Sequence, residues 1–304
     1  MSTRYYSVQL HRSILFCSFA LNALAGVPSS PLYFDDQLVD HLSKDNSERW
    51  KQRYYASDTF FDGPGSPIFL IMGGEGAIEP STGIYYPFIA NHLAKDFGAY
   101  VLQPEHRFYG ESQPMGSGFN FSNKDNAPVT TALMTTEQAM WDAVNLVQHT
   151  RKKLNCLKGQ YRCPVITVGG SYPGFLSLAM RIVHPDIVDI SYAASAPIGF
   201  YSQEVHQFEY YDHITLIADK ASPGCAGDIR STLLDGLHPL FHNITSSDDL
   251  DEVVSILGIC QKTVPMYITE NVASIGRALY EELTMVVAYT FANYNMAYYP
   301  PNEK

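Results

Sequence analysis

A chain of 304 residues suffices for one large domain, or for one domain with an insertion, and 46% apolar residues can fill a sizeable core. The formal net charge of −11 excludes the basic face that a phosphate backbone requires, so no nucleic-acid partner is expected. The first predicted element is a leader. Arg4 and Arg12 give a positive start, Ile14 to Ala25 is mostly apolar, and Ala23-Leu24-Ala25 matches an A-x-A cleavage pattern. We read residues 1–25 as a signal peptide. It is too short to span a bilayer comfortably, and no other segment reaches about 18 uninterrupted apolar residues, so no membrane span is expected.

Four short apolar runs follow, each ending in a glycine, proline or polar turn. Pro67 to Met72 leads into Gly73-Gly74-Glu75-Gly76, and Ala99 to Gln103 leads into Pro104-Glu105-His106-Arg107. Val165 to Val168 leads into Gly169-Gly170-Ser171, and Ile190 to Ala194 leads into Ser195-Ala196-Pro197. Such runs read as buried strands, and the helical patterns between them predict an α/β fold: a mostly parallel sheet with helices on both faces. Asn91 to Asp96 closes one helix. Thr135 and Gln138 have capping-box spacing, and Met140, Ala143, Val144 and Val147 then repeat on one helical face. The run Gly174 to His184 is helical in pattern and starts directly behind Ser171. After about Pro197 strand-like runs become scarce. Tyr210 to Ala221, Ile229 to Leu240, Asp248 to Ile259 and Ala273 to Thr290 read as helices. The expected organisation is a sheet domain over residues 26–200 and a helical cap over residues 201–304.

Cysteine usage agrees with a secreted or lysosomal protein. Cys17 would leave with the leader, and Cys156, Cys163, Cys225 and Cys260 remain. These allow three pairings, of which proximity favours Cys156–Cys163 and Cys225–Cys260. Asn120-Phe121-Ser122 and Asn243-Ile244-Thr245 are glycosylation sequons. No Cys or His spacing matches a zinc site, and we expect neither metal nor cofactor.

The chemistry concentrates in Val165 to Gly174, VITVGGSYPG. A strand, a glycine-flanked serine and then a helix form the nucleophile elbow of an α/β-hydrolase, which lifts the hydroxyl above the strand ends. Ser171 is the candidate nucleophile, and the N–H of Tyr172 is aimed at the developing oxyanion. The match to G-x-S-x-G is incomplete, because Pro173 stands where the second glycine belongs and Gly174 follows it. Proline is tolerated in the first turn of a helix, where its missing N–H has no partner to lose. Gly73 to Gly76 ends a strand where these folds place the second oxyanion donor. His106 precedes the serine, whereas hydrolases of this fold run Ser, then Asp or Glu, then His. We therefore read His106 and Arg107 as a buried polar network under the site.

With Gln37 to His41, Trp50 to Tyr54, GGEG at Gly73, EHRFYGES at Glu105, TTEQA at Thr135, GGSY at Gly169 and Ala194 to Pro197, the chain resembles the serine carboxypeptidase S28 family of prolyl peptidases. The resemblance implies an α/β-hydrolase sheet with a helical cap inserted near Pro197. It implies acyl-enzyme cleavage of peptides next to proline, with proline-containing peptides as partners. By the same resemblance Ser171 forms the acyl-enzyme, Tyr172 and Gly74 supply the oxyanion donors, and Glu75 lines the substrate site. That family usually has a second glycine after GGSY, so Pro173 is a departure from it.

The family's acid and base lie beyond the cap. Downstream of Ser171 stand His184, His206, His213, His238 and His242, none of them after a late strand. The sequence thus reads as a peptidase recorded without its Asp and His, truncated in or just after the cap. The alternatives are a non-catalytic peptide-binding short form, and an esterase or lipase on the same fold.

Overall fold

The computed structural model describes residue 27 and residues 29–44, 47–120, 123–258 and 271–297. The expected leader, Cys17, Cys260, the Phe121-Ser122 part of the first sequon and residues 298–304 lie outside the described residues. Two compact units divide between Ile198 and Gly199.

In the first unit β1 (Leu32–Leu38), β2 (Arg49–Ser57), β3 (Ile68–Ile71), β4 (Tyr100–Pro104), β5 (Val165–Gly170) and β6 (Ile190–Ala194) form one sheet. Their order is β1-β2-β4-β3-β5-β6. β4, β3, β5 and β6 are parallel, while β1 and β2 pair antiparallel to their neighbours. The four apolar runs are thus the four parallel strands of a six-stranded α/β-hydrolase sheet. The sequence reading overlooked β1 and β2. Their charged residues, among them Asp35, Asp36, Arg49 and Lys51, interrupt the apolar pattern by which strands are recognised.

All four residues of β3 are buried, and its side chains alternate between two cores. Ile68 and Leu70 join Leu102, Met140, Val144, Val147, Leu176 and Met180. These come from α3 (Thr136–Lys153) and α4 (Tyr172–Val183) as well as from the sheet. Phe69 and Ile71 face Ala90 and Ala94, from a π-helical stretch, Phe88–Leu93, and its continuation α1 (Ala94–Asp96). Complete burial of such an aliphatic side chain contributes roughly 1.5–3 kcal/mol, which is why this strand fixes the register Ile68↔Val165 and Ile71↔Val168.

α2 (Ala127–Leu133), absent from the sequence reading, precedes α3. At the start of α3 the Thr135 side chain accepts from the Gln138 N–H at 3.2 Å, but the expected capping box is only half formed. The Gln138 side chain turns away, accepting from the His41 N–H and donating to Asp40. Cys156 and Cys163 form a disulfide between α3 and β5. Cys225 is bonded to no other described cysteine.

After the junction helix α5 (Ile198–Tyr201), the second unit is helical. It contains α6 (Glu209–Ala221), then α7 (Cys225–Ser231) running through a π-helical turn into α8 (His238–His242), then α9 (Ser247–Leu257) and α10 (Val272–Ala297). Phe241, Ile244, Val253, Val254 and Leu279 form its core. A complete capping box, Ser246 with Asp249, opens α9. Among the described residues no helix is long and apolar enough to cross a membrane. Asn120 and Asn243 are both exposed.

Candidate active site

Strand β5 ends at Gly170 and α4 begins at Tyr172, so Ser171 alone makes the turn. Its backbone sits at φ 59°, ψ −130°, a region that L-residues rarely occupy, and its side chain is exposed. Two hydrogen bonds hold it there. The Ser171 N–H donates to the Ala194 carbonyl at 3.0 Å, and its carbonyl accepts from the Phe175 N–H at 3.1 Å. The glycine requirement comes from crowding: a Cβ on Gly169 would strike the backbone of Pro173 and Gly174.

Pro173 has a physical role in this turn. It lies buried in the first turn of α4, and a Cβ on Gly74 would come within 2.8 Å of its ring. The proline therefore brings the Gly73–Gly76 loop into contact with the elbow. Gly174, one position later than the usual pattern, makes the close approach to β6, where a Cβ would lie 2.9 Å from the Ala194 carbonyl. Tyr172, as the first residue of α4, occupies the helix N-terminus, where N–H groups and the helix dipole favour negative charge.

The EHRFYGES segment builds the support. Glu105 is fully buried and accepts from Arg53 Nη2 at 2.6 Å and Nε at 3.2 Å. It also accepts from the N–H groups of Ile78, Glu111 and Ser112, at 2.9, 3.1 and 3.0 Å. One carboxylate thus ties β2 to the loop that follows Gly76. Arg107, also fully buried, grips Asp142 with Nε at 2.7 Å and Nη2 at 2.8 Å. Its remaining donors reach the carbonyls of Leu38, Val39 and Leu133. Asp142 is shared with His41 at 2.7 Å.

His106 lies between this network and the elbow. Its Nδ1 is 2.8 Å from the Arg107 carbonyl, which can only accept, so Nδ1 carries the proton. Nε2 then accepts from the Tyr172 hydroxyl at 2.9 Å. Burial pushes the imidazole below its ordinary range, consistent with a neutral ring. His106 is therefore bonded to the residue after the serine, in the buried network expected from the sequence. Among the described residues, no histidine or carboxylate is hydrogen-bonded to the Ser171 hydroxyl. His184 is buried at the end of α4 against Trp141.

Of the residues the sequence reading named, Ser171, Tyr172 and Gly74 lie together at one end of β5. Glu75 is exposed on the loop beside them. The sequence reading assigned no role at the site to Arg53 or Asp142. Arg53 lies in β2, which the sequence did not show as a strand, and Asp142 lies in α3, and a buried charge is the exception in either. A cavity of about 590 Å³ opens elsewhere in this unit, on the sheet face beside Phe88 and Leu93, and Ser171 does not line it.

A model of the family described as Serine carboxypeptidase S28 matches residues 37–300. The chain belongs to the serine carboxypeptidase S28 family. It is 34% identical over 236 residues to the lysosomal Pro-X carboxypeptidase of Mus musculus, covering 76% of this chain and 44% of that protein. To the Homo sapiens protein of the same name it is 32% identical over 204 residues, covering 66% and 38%. The chain thus spans less than half the length of these relatives. Among solved structures an arylesterase aligns at TM-score 0.31 and 14% identity, over 54% of this chain and 44% of that one, too distant a likeness to carry an argument.

Proposed function

We propose that this S28 chain carries the nucleophile half of a serine exopeptidase that cleaves peptides next to proline. The observation that carries the reading is the Ser171 elbow, with its exposed side chain at the end of a parallel strand and a helix N-terminus directly behind it. In this reading Ser171 attacks the scissile carbonyl, and the N–H groups of Tyr172 and Gly74 receive the oxyanion. Glu75, on the same loop, lines the substrate site. The helical unit after Gly199 acts as the cap. The proline preference rests on similarity to the Pro-X carboxypeptidases. The Cys156–Cys163 disulfide and the leader-like start favour a secreted or lysosomal location.

An acyl transfer also needs a base and an acid, and a serine deprived of its base loses orders of magnitude in rate. A second reading is peptide binding without turnover, for which the exposed elbow and the Gly73–Gly76 loop beside it would serve as the binding surface. One experiment separates the two. The protein and its Ser171→Ala variant are treated with a fluorophosphonate, and offered proline-containing peptides and simple esters. The peptidase reading expects labelling and turnover of the peptides over the esters, both lost in Ser171→Ala. Peptide binding with neither labelling nor turnover supports the second reading.

A further inference from the structure

Tyr86 stands apart from the residues already assigned. Its backbone φ is 55°, left-handed for a bulky aromatic residue that also precedes a proline, Pro87. A conformation of this kind is strained and persists only where the surroundings enforce it. Here they do. The preceding residue is pinned by its N–H, which donates 2.7 Å to the side chain of buried Gln103. Ile84 is held in a bridge with Val27, and the Tyr86 carbonyl accepts from the Ala90 N–H at 3.0 Å.

The strained turn sends the phenol toward the elbow. A Cβ on Gly170 would lie 2.9 Å from the Tyr86 oxygen, so the phenol oxygen lies against the Gly170 backbone. Strand β3 ends at Ile71, opposite Val168, so its register stops two residues short of Gly170. Gly170 is the residue immediately before Ser171. The charge of Glu75, on the Gly73–Gly76 loop, also reaches the phenol. Burial above all, with the Glu75 carboxylate adding to it, pushes the phenol's ionisation to higher pH, so the hydroxyl keeps its proton at neutral pH. The phenol thus has its O–H to donate.

We infer that the Tyr86 hydroxyl is a further donor of this site, directed at the oxygen of the acyl or phosphoryl group that Ser171 attacks. The inference rests on the proposed role of Ser171. In fluorophosphonate labelling the Ser171 oxygen forms a bond to phosphorus, fluoride leaves with the P–F electron pair, and the hydroxyl proton passes to solvent. Tyr86 keeps its proton and donates a hydrogen bond to the phosphoryl oxygen as charge develops there.

The test compares fluorophosphonate inactivation of the protein with its Tyr86→Phe and Ser171→Ala variants, alongside their melting temperatures. A donor used in the transition state gives Tyr86→Phe a maximal inactivation rate lower by about 10²-fold, with little change in the reagent's half-saturating concentration. A wild-type rate in Tyr86→Phe overturns the inference, with or without a lower melting temperature, and leaves the phenol as a cap on Gly170. Labelling that Ser171→Ala abolishes but Tyr86→Phe does not affect overturns this inference alone. Failure of the unmodified protein to label overturns both it and the role of Ser171.

Discussion

The serine at the turn is held by contacts that tolerate almost no added volume. Gly169 faces the backbone of Pro173, and Gly74 faces the Pro173 ring, so the elbow and the loop opposite it are one packed unit. Replacing Gly169 with alanine forces that backbone apart. We expect Gly169→Ala to destabilise the first unit by about 1–3 kcal/mol, as overpacking does, and to abolish serine labelling. Denaturant unfolding and fluorophosphonate labelling of the same sample check both. Pro173 has the opposite character. Read as a departure from the usual motif, it proves to be the side chain that joins the elbow to the Gly73–Gly76 loop.

At the scale of elements, two buried ion pairs connect strands, loops and a helix under the site. Arg53 and Glu105 link β2 to the segment after β4, and Arg107 and Asp142 link that segment to α3. Breaking one partner of such a pair leaves a buried charge without its counterion, at a cost of roughly 3–5 kcal/mol. Glu105→Gln keeps the volume and removes the charge, and we expect a loss of that order in chemical denaturation. Because Glu105 also accepts from the Ile78 N–H, the loop carrying Gly74 should lose order too. Faster amide exchange at Ile78 than in a control destabilised elsewhere checks this.

The stability of the whole molecule should depend on pH through its buried imidazoles. Burial depresses the ionisation of both His106 and His184 in the folded chain. Between the depressed value and about 6.5, the unfolded chain binds more protons than the folded one. Stability is therefore fully present above about 6.5 and falls as the pH drops through that window. Melting temperatures at stepped pH should decline below about 6.5, and His184→Phe should flatten part of the decline. The open apolar face also belongs to this scale. Ile190 and Tyr192 on β6 are each 58% exposed, although parallel strands are ordinarily covered on both faces. They line the cavity beside α1 with Phe69, Ile166 and Val168.

The four parallel strands, α3, α4 and most of the helices of the second unit were legible in the sequence. Buried parallel strands are continuous apolar runs, and helices repeat their apolar residues at a fixed spacing. β1 and β2 were not legible, because charges such as Arg53 are satisfied only by partners 52 and 58 residues away. The sequence by itself determined the nucleophile candidate and the family, since both reside in short contiguous motifs. Only the tertiary structure decided what surrounds that serine. The contact of Pro173 with Gly74, the bond from Tyr172 to His106 and the approach of Tyr86 to Gly170 all join residues distant in sequence. Local spacing carries no record of such contacts, because they exist only once the sheet has brought its strand ends together.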